Sequence, residues 1–248
     1  MLKEAQFCFY GELNDFLPEG KKSSFFRYRY TGSPSVKNVI ECIGVPHTEV
    51  DFILVNGKSV MFSYRIKEGD RILVYPLSAR INMPQGIHLA ERNTSGVRFI
   101  LDVHLGKLAR LLRLLGLDTL YESDYSDREI VQLATSEGRI ILTRDIGILK
   151  LNDVNRGYWI RAQDPKKQLI EVLTRFDLFS RLKPFRRCIV CNGIIQQVQK
   201  ETVIDELDCM TKEGYNEFYQ CESCKKIYWK GSHYHRMKSF VEQLLNSR

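Results

Sequence analysis

The chain has 248 residues, 37 Lys and Arg against 30 Asp and Glu, a formal net charge of +7 and 44% hydrophobic residues. That length accommodates two or three domains with buried cores, and no apolar run reaches the ~20 residues a membrane-spanning helix needs, so no membrane partner is expected. Seven cysteines, four of them in two Cys-x-x-Cys pairs, suit reduced metal chemistry, and the amino terminus lacks the basic-then-apolar form of a secretory leader, so a cytoplasmic location is expected.

Residues 1–80 read as a first unit. Gln6–Tyr10 and Ser24–Tyr30 carry strand-forming aromatics, and between them Gly11, Asn14, Asp15, Pro18 and Gly20 make a turn-rich connection. Ser35–Ile43 reads as a helix, with Val36, Val39, Ile40 and Ile43 on one face. Phe52–Val55 runs into Asn56-Gly57, a hairpin signal, and Ser59–Phe62 is the expected return strand. Arg71–Tyr75 closes the unit after Glu68-Gly69-Asp70. This order, ending in GDRILVYP, resembles a ubiquitin-like β-grasp domain of the sulfur-carrier type. Such carriers act through a free Gly-Gly terminus, whereas this chain continues past Gly86 without one. The unit is therefore expected to dock a protein partner or contact RNA, since a fold alone confers no chemistry. Residues 81–96, mixing Pro, Gly, Asn, Ser and Thr, read as a linker.

Residues 97–182 alternate short strands and helices. Phe99–Leu101, Thr119–Tyr121, Ile140–Leu142 and Gly157–Ile160 are apolar strands. Leu105, Leu108, Leu112 and Leu115, then Ile130, Leu133 and Ala134, step at helical spacing. Asp164-Pro165 opens a last helix, with Leu169, Val172, Leu173 and Phe176 on its buried stripe. This is the pattern of a parallel α/β sheet, with an expected strand order 2-1-3-4. In such sheets chemistry gathers at the carboxyl ends of the strands. Asp102, Asp124, Asp127 and Asp145 fall at those ends. Clustered carboxylates repel unless a cation sits among them, and their hard oxygens suit Mg²⁺ or Mn²⁺. Asp102 and Asp145 also fit as simple helix caps, and Asp127 as a first-turn acid favoured by the helix dipole. Lys107, Arg110 and Arg113 recur every three residues as a stripe for phosphates, and Arg144 adjoins Asp145. Over residues 81–180 basic and acidic residues nearly balance, 14 against 13, as a cation-requiring acidic site flanked by basic groups would.

Residues 183–248 carry Cys188-Ile-Val-Cys191 and Cys221-Glu-Ser-Cys224, whose spacing signals one tetrahedral, structural four-thiolate zinc site. Thr202–Ile204 and Glu217–Tyr219 read as short strands between the pairs, and a helix ends the chain. Cys8, Cys42 and Cys209 lack partners at ligand spacing and are expected to be small buried hydrophobes. The stretch KKIYWKGSHYHRMK interleaves aromatic and basic residues, a pattern that stacks unpaired bases and tracks phosphate, with Trp229 and Arg236 as expected RNA contacts. Trp229 serves equally well as packing for the ribbon's core. His233 and His235 are candidates for acid–base chemistry.

An Asp after the first strand, D-x-x-I-x-x-x-A at Asp127, Ile130 and Ala134, and Thr143-Arg144-Asp145 after the third strand resemble a PIN-type nuclease. More narrowly, LDVHLGKLARLLRLLG and the trailing zinc ribbon resemble the PIN-like ribonuclease family named after the carboxy-terminal half of the worm Mut-seven protein, some of whose members begin with a ubiquitin-like domain. The resemblance implies a metal-dependent RNA endonuclease leaving a 5′-phosphate, with Asp102, Asp127 and Asp145 as ligands of Mg²⁺ or Mn²⁺ and no nucleotide cofactor. Where many PIN domains place a Glu on a helix, only Glu122 and Asp124 stand here, and Asp124 is preferred. The other reading is a non-catalytic RNA-binding or scaffolding protein whose acids are caps.

Overall fold

A computed structural model describes residues 1–76, 86–89 and 96–246. Most of the expected linker, 81–85 and 90–95, lies outside them. The chain divides into two compact units, Met1–Ser95 with Asp127–Trp159, and Gly96–Ser126 with Ile160–Arg248.

In the first unit, β1 (Lys3–Phe9), β2 (Phe26–Tyr30), α1 (Val36–Ile43), β3 (Val50–Val55), β4 (Lys58–Ser59) and β5 (Arg71–Pro76) form a mixed five-stranded sheet with a helix, in the order β2-β1-β5-β3-β4. Strands β1 and β5 are parallel and the other neighbours antiparallel. Ser35 starts α1 by accepting the Asn38 N–H at 3.2 Å, and Gly44 ends it at φ 127°. Val36, Val39 and Ile40 bury the inner face against Phe7, Phe9, Ile53, Ile72 and Val74. The hairpin signal holds: Asn56 and Gly57 both take positive φ (49° and 81°), the backbone of a two-residue turn whose twist matches the strands. The return strand is shorter than expected, Lys58–Ser59 rather than Ser59–Phe62, because Tyr64 and Phe62 turn to accept the N–H groups of Val36 and Lys37 at the start of α1.

The same unit contains α3 (Asp127–Glu137), β8 (Ile140–Thr143), α4 (Ile146–Leu149) and β9 (Gly157–Trp159), with β8 and β9 parallel. The second holds β6 (Arg98–Leu101), α2 (Gly106–Leu114), parallel β7 (Asp118–Leu120), and α5 (Pro165–Arg175). Together β7-β6-β8-β9 is the order of a four-stranded sheet. Asp164 caps α5, accepting the N–H groups of Lys166 and Lys167 at 3.0 Å ahead of Pro165. Gly116, at φ 83°, lets the chain cross itself after α2; a Cβ there would lie 2.1 Å from the Lys183 carbonyl oxygen.

The ribbon comprises β10 (Ile195–Val198), α6 (Cys209–Gly214), β11 (Phe218–Cys221), β12 (Ile227–Trp229) and the closing helix α7 (Ser232–Asn246), its strands antiparallel in the order β10-β11-β12. Thr202–Ile204 is not a strand. The chain there passes through two short 3₁₀ turns, Lys200–Thr202 and Ile204–Glu206, because Val203 must turn inward to bury beside Leu207 and Phe218. Of the three lone cysteines only Cys8 is buried; Cys42 and Cys209 are exposed. Cys42 lies two residues past buried Ile40, about 200° round the helix, and so on the outer face of α1.

Candidate active site and nucleic-acid interface

Each acid can be followed from the element that holds it. Asp102 leaves the end of β6, is 3% exposed, and accepts the His104 N–H at 2.8 Å, capping a 3₁₀ turn over Val103–Leu105. The His104 ring is exposed, its Nδ1 3.6 Å from the same carboxylate oxygen. Asp145 leaves the end of β8, accepts the Gly147 N–H at 2.7 Å to cap α4, and donates its own N–H to Thr143 Oγ1 at 2.8 Å. Asp127 is the exposed first residue of α3, and Asp124 is exposed in the loop before it. The caps expected at Asp102 and Asp145 are therefore present, and a cap's acceptor bond holds a carboxylate in place without changing its charge. Asp102 and Asp124 lie in one compact unit, Asp127 and Asp145 in the other.

Val103 and His104, which follow Asp102 in the chain, line a cavity of about 600 Å³ with Lys107, Arg110, Tyr121 and Gln168. Gly106 opens α2 here, where a Cβ would sit 2.6 Å from the Tyr121 hydroxyl, and that hydroxyl donates to the Val103 carbonyl at 3.0 Å. Lys107 and Arg110 are exposed, as the stripe reading requires.

Arg113 is not part of that stripe. It is 2% exposed, and its guanidinium donates to the carbonyls of Thr119 (2.9 Å), Tyr121 (3.2 Å) and Val190 (2.6 Å). Burial lowers its pKa, with Glu122 and the ribbon cysteines pulling the other way. It fastens helix, strand and ribbon together and is unavailable to phosphate. Arg144 is exposed, and its carbonyl accepts from Trp159 Nε1 at 3.3 Å.

The ribbon's four cysteines converge. Their sulfurs all lie within 4.8 Å of one another, with Cys188–Cys224 at 3.6 Å and Cys191–Cys221 at 3.4 Å. Tetrahedral zinc with Zn–S bonds of about 2.3 Å needs sulfur–sulfur edges of about 3.8 Å, so the set fits zinc with a slight opening. Both knuckles are built alike. Asn192 (φ 71°) and Lys225 (φ 61°) follow the second cysteine in left-handed backbone, and their N–H groups donate to the first cysteine's carbonyl at 2.9 and 3.1 Å. Burial opposes ionisation of Cys188, but the Tyr228 hydroxyl 3.0 Å away and the N–H groups of Cys191 and Val190 outweigh it and bring the thiol down to about 7. The first knuckle also grips β7: Asn192 Oδ1 accepts the Thr119 N–H at 3.0 Å, and Asn192 Nδ2 and Arg187 donate to Asp118 at 2.9 and 3.2 Å.

Trp229 is half-buried against the ribbon's core of Val203, Leu207 and Phe218, so it packs as well as facing outward. Arg236, His233 and His235 are exposed on α7. Arg236 lines a smaller groove of about 300 Å³ with Arg110, Lys166 and Phe240, where the Lys166 ammonium lies 5.4 Å over the Phe240 ring. Lys166 is not among the expected contacts; it reaches this groove from α5, distant in sequence from α7, and carries no linear signal.

A family description, the Mut7-C RNAse domain, matches residues 97–241, and a second, the Mut7-C ubiquitin, matches residues 2–82. No curated protein and no solved structure matches the chain. No helix among the described residues is long and apolar enough to cross a membrane.

Proposed function

The chain belongs to the Mut7-C RNAse domain family, and from that membership we propose that it is a Mg²⁺- or Mn²⁺-dependent RNA endonuclease whose ion is held by Asp102, Asp127 and Asp145, with Asp124 assisting. The observation that carries the reading is Asp102: a carboxylate at the end of a sheet strand, 3% exposed, beside a cavity lined by Lys107 and Arg110. Carboxylate oxygens are the donors a hard divalent ion prefers, which supports Mg²⁺ or Mn²⁺ as the ion.

When bound, such an ion activates water and stabilises the charge of an in-line phosphoryl displacement. The protein's own groups do the rest. Arg110, Lys107 and Arg144 hold the RNA backbone so that the scissile phosphate faces the acids. Water adds to phosphorus, the bond from phosphorus to the 3′-oxygen breaks, and the proton lost by the water ends on that oxygen. The products are a 5′-phosphate and a 3′-hydroxyl. The ubiquitin-like domain is assigned to a protein partner, and the cysteine set to structural zinc. The test is cleavage of a labelled RNA with Mn²⁺ present and absent. Asp102→Asn and Asp145→Asn should abolish turnover while RNA still binds; cleavage unaffected by both substitutions would return the acids to simple capping and leave an RNA-binding protein.

A further inference from the structure

A further cavity lies on the ribbon, larger than the two described above. It is a groove of about 1050 Å³, at the upper end of the roughly 300–1,000 Å³ that bury a drug-sized ligand, and so has room for more than one nucleotide. Half-exposed Phe185, Tyr215, Tyr219, Trp229 and Tyr234 give it its aromatic walls. They come from the loop before the first knuckle, the segment after α6, ribbon strands β11 and β12, and α7. Arg110, Arg187, Lys226 and Lys230 supply its charge, and among the described residues no Asp or Glu lines it. Arg187 is tied to Asp118 and Lys230 to Glu217, whereas Arg110 and Lys226 are exposed at its margin.

Arg110 lines this groove, the smaller groove at Arg236, and the cavity beside Asp102. One exposed guanidinium thus joins a stacking surface to the cavity beside Asp102. The combination selects a strand whose bases are free. In a duplex the base faces are covered, and double-stranded RNA is read through phosphates and 2′-hydroxyls across a shallow groove. Aromatic walls with flanking cations and no opposing acids are what sequence-tolerant single-strand binding uses. We infer that the ribbon groove binds unpaired nucleotides of single-stranded RNA and passes the strand over Arg110 to the cavity beside Asp102. This rests on the ribonuclease reading and narrows its substrate to RNA with an unpaired tract on one side of the cut.

The experiment uses the zinc-loaded full chain without added Mg²⁺ or Mn²⁺, so that binding is read without cleavage. Fluorescence anisotropy compares a labelled twelve-nucleotide poly-uridine with an RNA duplex of equal length. The single strand should bind at least tenfold tighter. Tyr219→Ala should weaken it about tenfold with the salt slope unchanged, because one stacked base is lost. Arg110→Glu and Lys226→Glu should each reduce the slope of log K against log salt by about 0.7, one phosphate contact on a single strand. Tyr219→Leu, which keeps an apolar side chain on β11, serves if the alanine variant loses its zinc. Equal affinity for the duplex, or unchanged binding in all these variants, overturns the inference; the groove would then be left for a protein ligand. Cleavage of RNA by wild type with unchanged binding in the groove variants sinks the groove and spares the nuclease. Groove-dependent binding by a chain that cuts nothing in Mn²⁺ does the reverse.

Discussion

The backbone N–H of Trp159 donates to Glu49 Oε1 at 2.7 Å, and Glu49 has no exposure to solvent. Glu49 ends a 3₁₀ turn leading into β3 of the ubiquitin-like domain, and Trp159 ends β9, 110 residues on. Phe16 lies against the Trp159 ring with centroids 5.1 Å apart, and the Lys150 ammonium donates to the Glu41 carbonyl at 3.2 Å. The ubiquitin-like domain is thus seated on the edge of the family's RNase region by a buried carboxylate and an aromatic pair. Glu49→Ala should cost about 2 kcal/mol, since a hydrogen bond to a charged group contributes about 1.5–3 kcal/mol and its buried donor would be left short. Urea denaturation followed by tryptophan fluorescence reads both the loss and the loosening of Trp159. No change in midpoint would mean that the domain is tethered by something else.

A second bond at this seat is sensitive to pH. His47 is 7% exposed, with Nδ1 2.7 Å from Glu41 Oε1 and Nε2 2.8 Å from the Val154 carbonyl. Burial and then Lys37 push the imidazole below its ordinary value; Glu41 and the Val154 carbonyl pull it upward and are outweighed. Two oxygen neighbours favour the doubly protonated ring, but the cost of a charge this deeply buried is the larger effect. Because the folded value lies below the unfolded one, about 6.5, the unfolded chain binds more protons across that interval. This contribution to stability is present above about 6.5 and is lost as pH falls through the folded value. The urea midpoint should therefore drop between pH 7.5 and 5.5 in wild type, and less so in His47→Gln. A wild type that gains stability on acidification relative to the variant would show that the two hydrogen bonds win.

Zinc removal should reach beyond the ribbon. The first knuckle is fastened to β7 through Asn192, Arg187 and Asp118, and to α2 through Arg113 and the Val190 carbonyl. Structural zinc contributes about 10–16 kcal/mol of binding free energy near pH 7, so its loss should unfold the knuckle and release β7. Cys188→Ser, or chelation followed by resupply of Mn²⁺ alone, should lower the melting temperature and RNA cleavage together. Retention of full activity by zinc-free protein would show that the knuckle's bonds to β7 survive without metal.

How much of this was legible depended on whether the signal was local. Asn56-Gly57, Asp164-Pro165 and the two Cys-x-x-Cys pairs dictate backbone within a few residues, and each takes the geometry its chemistry requires. The seat at Glu49 and His47 was invisible, because its partners Trp159 and Val154 lie more than 100 residues away. The strand expected at Thr202–Ile204 failed because a β-branched triplet records burial, and here one inward valine satisfied it from a turn. Arg113 shows the limit of a three-residue stripe. At 3.6 residues per turn each step of three falls about 60° short of a full turn, so the third cation stands about 120° from Lys107 and swings inward.

Arg113 and Arg110 therefore separate structure from recognition on one helix. Arg113→Met keeps the stem's packing but strands the carbonyls of Thr119, Tyr121 and Val190, each within 3.2 Å of the lost guanidinium. A stranded buried polar group costs about 1–3 kcal/mol, so the total should be about 3 kcal/mol or more, partly relieved where water enters. Arg110, exposed and lining all three grooves, should tolerate Arg110→Met with little change in melting. RNA binding should move the other way. Removing Arg110 should weaken it and flatten its salt dependence, while the folded fraction of Arg113→Met should bind with the wild-type slope. Parallel melts and salt titrations of the two variants decide the matter, and a flattened slope in folded Arg113→Met would mean that this arginine leaves its three carbonyls for phosphate.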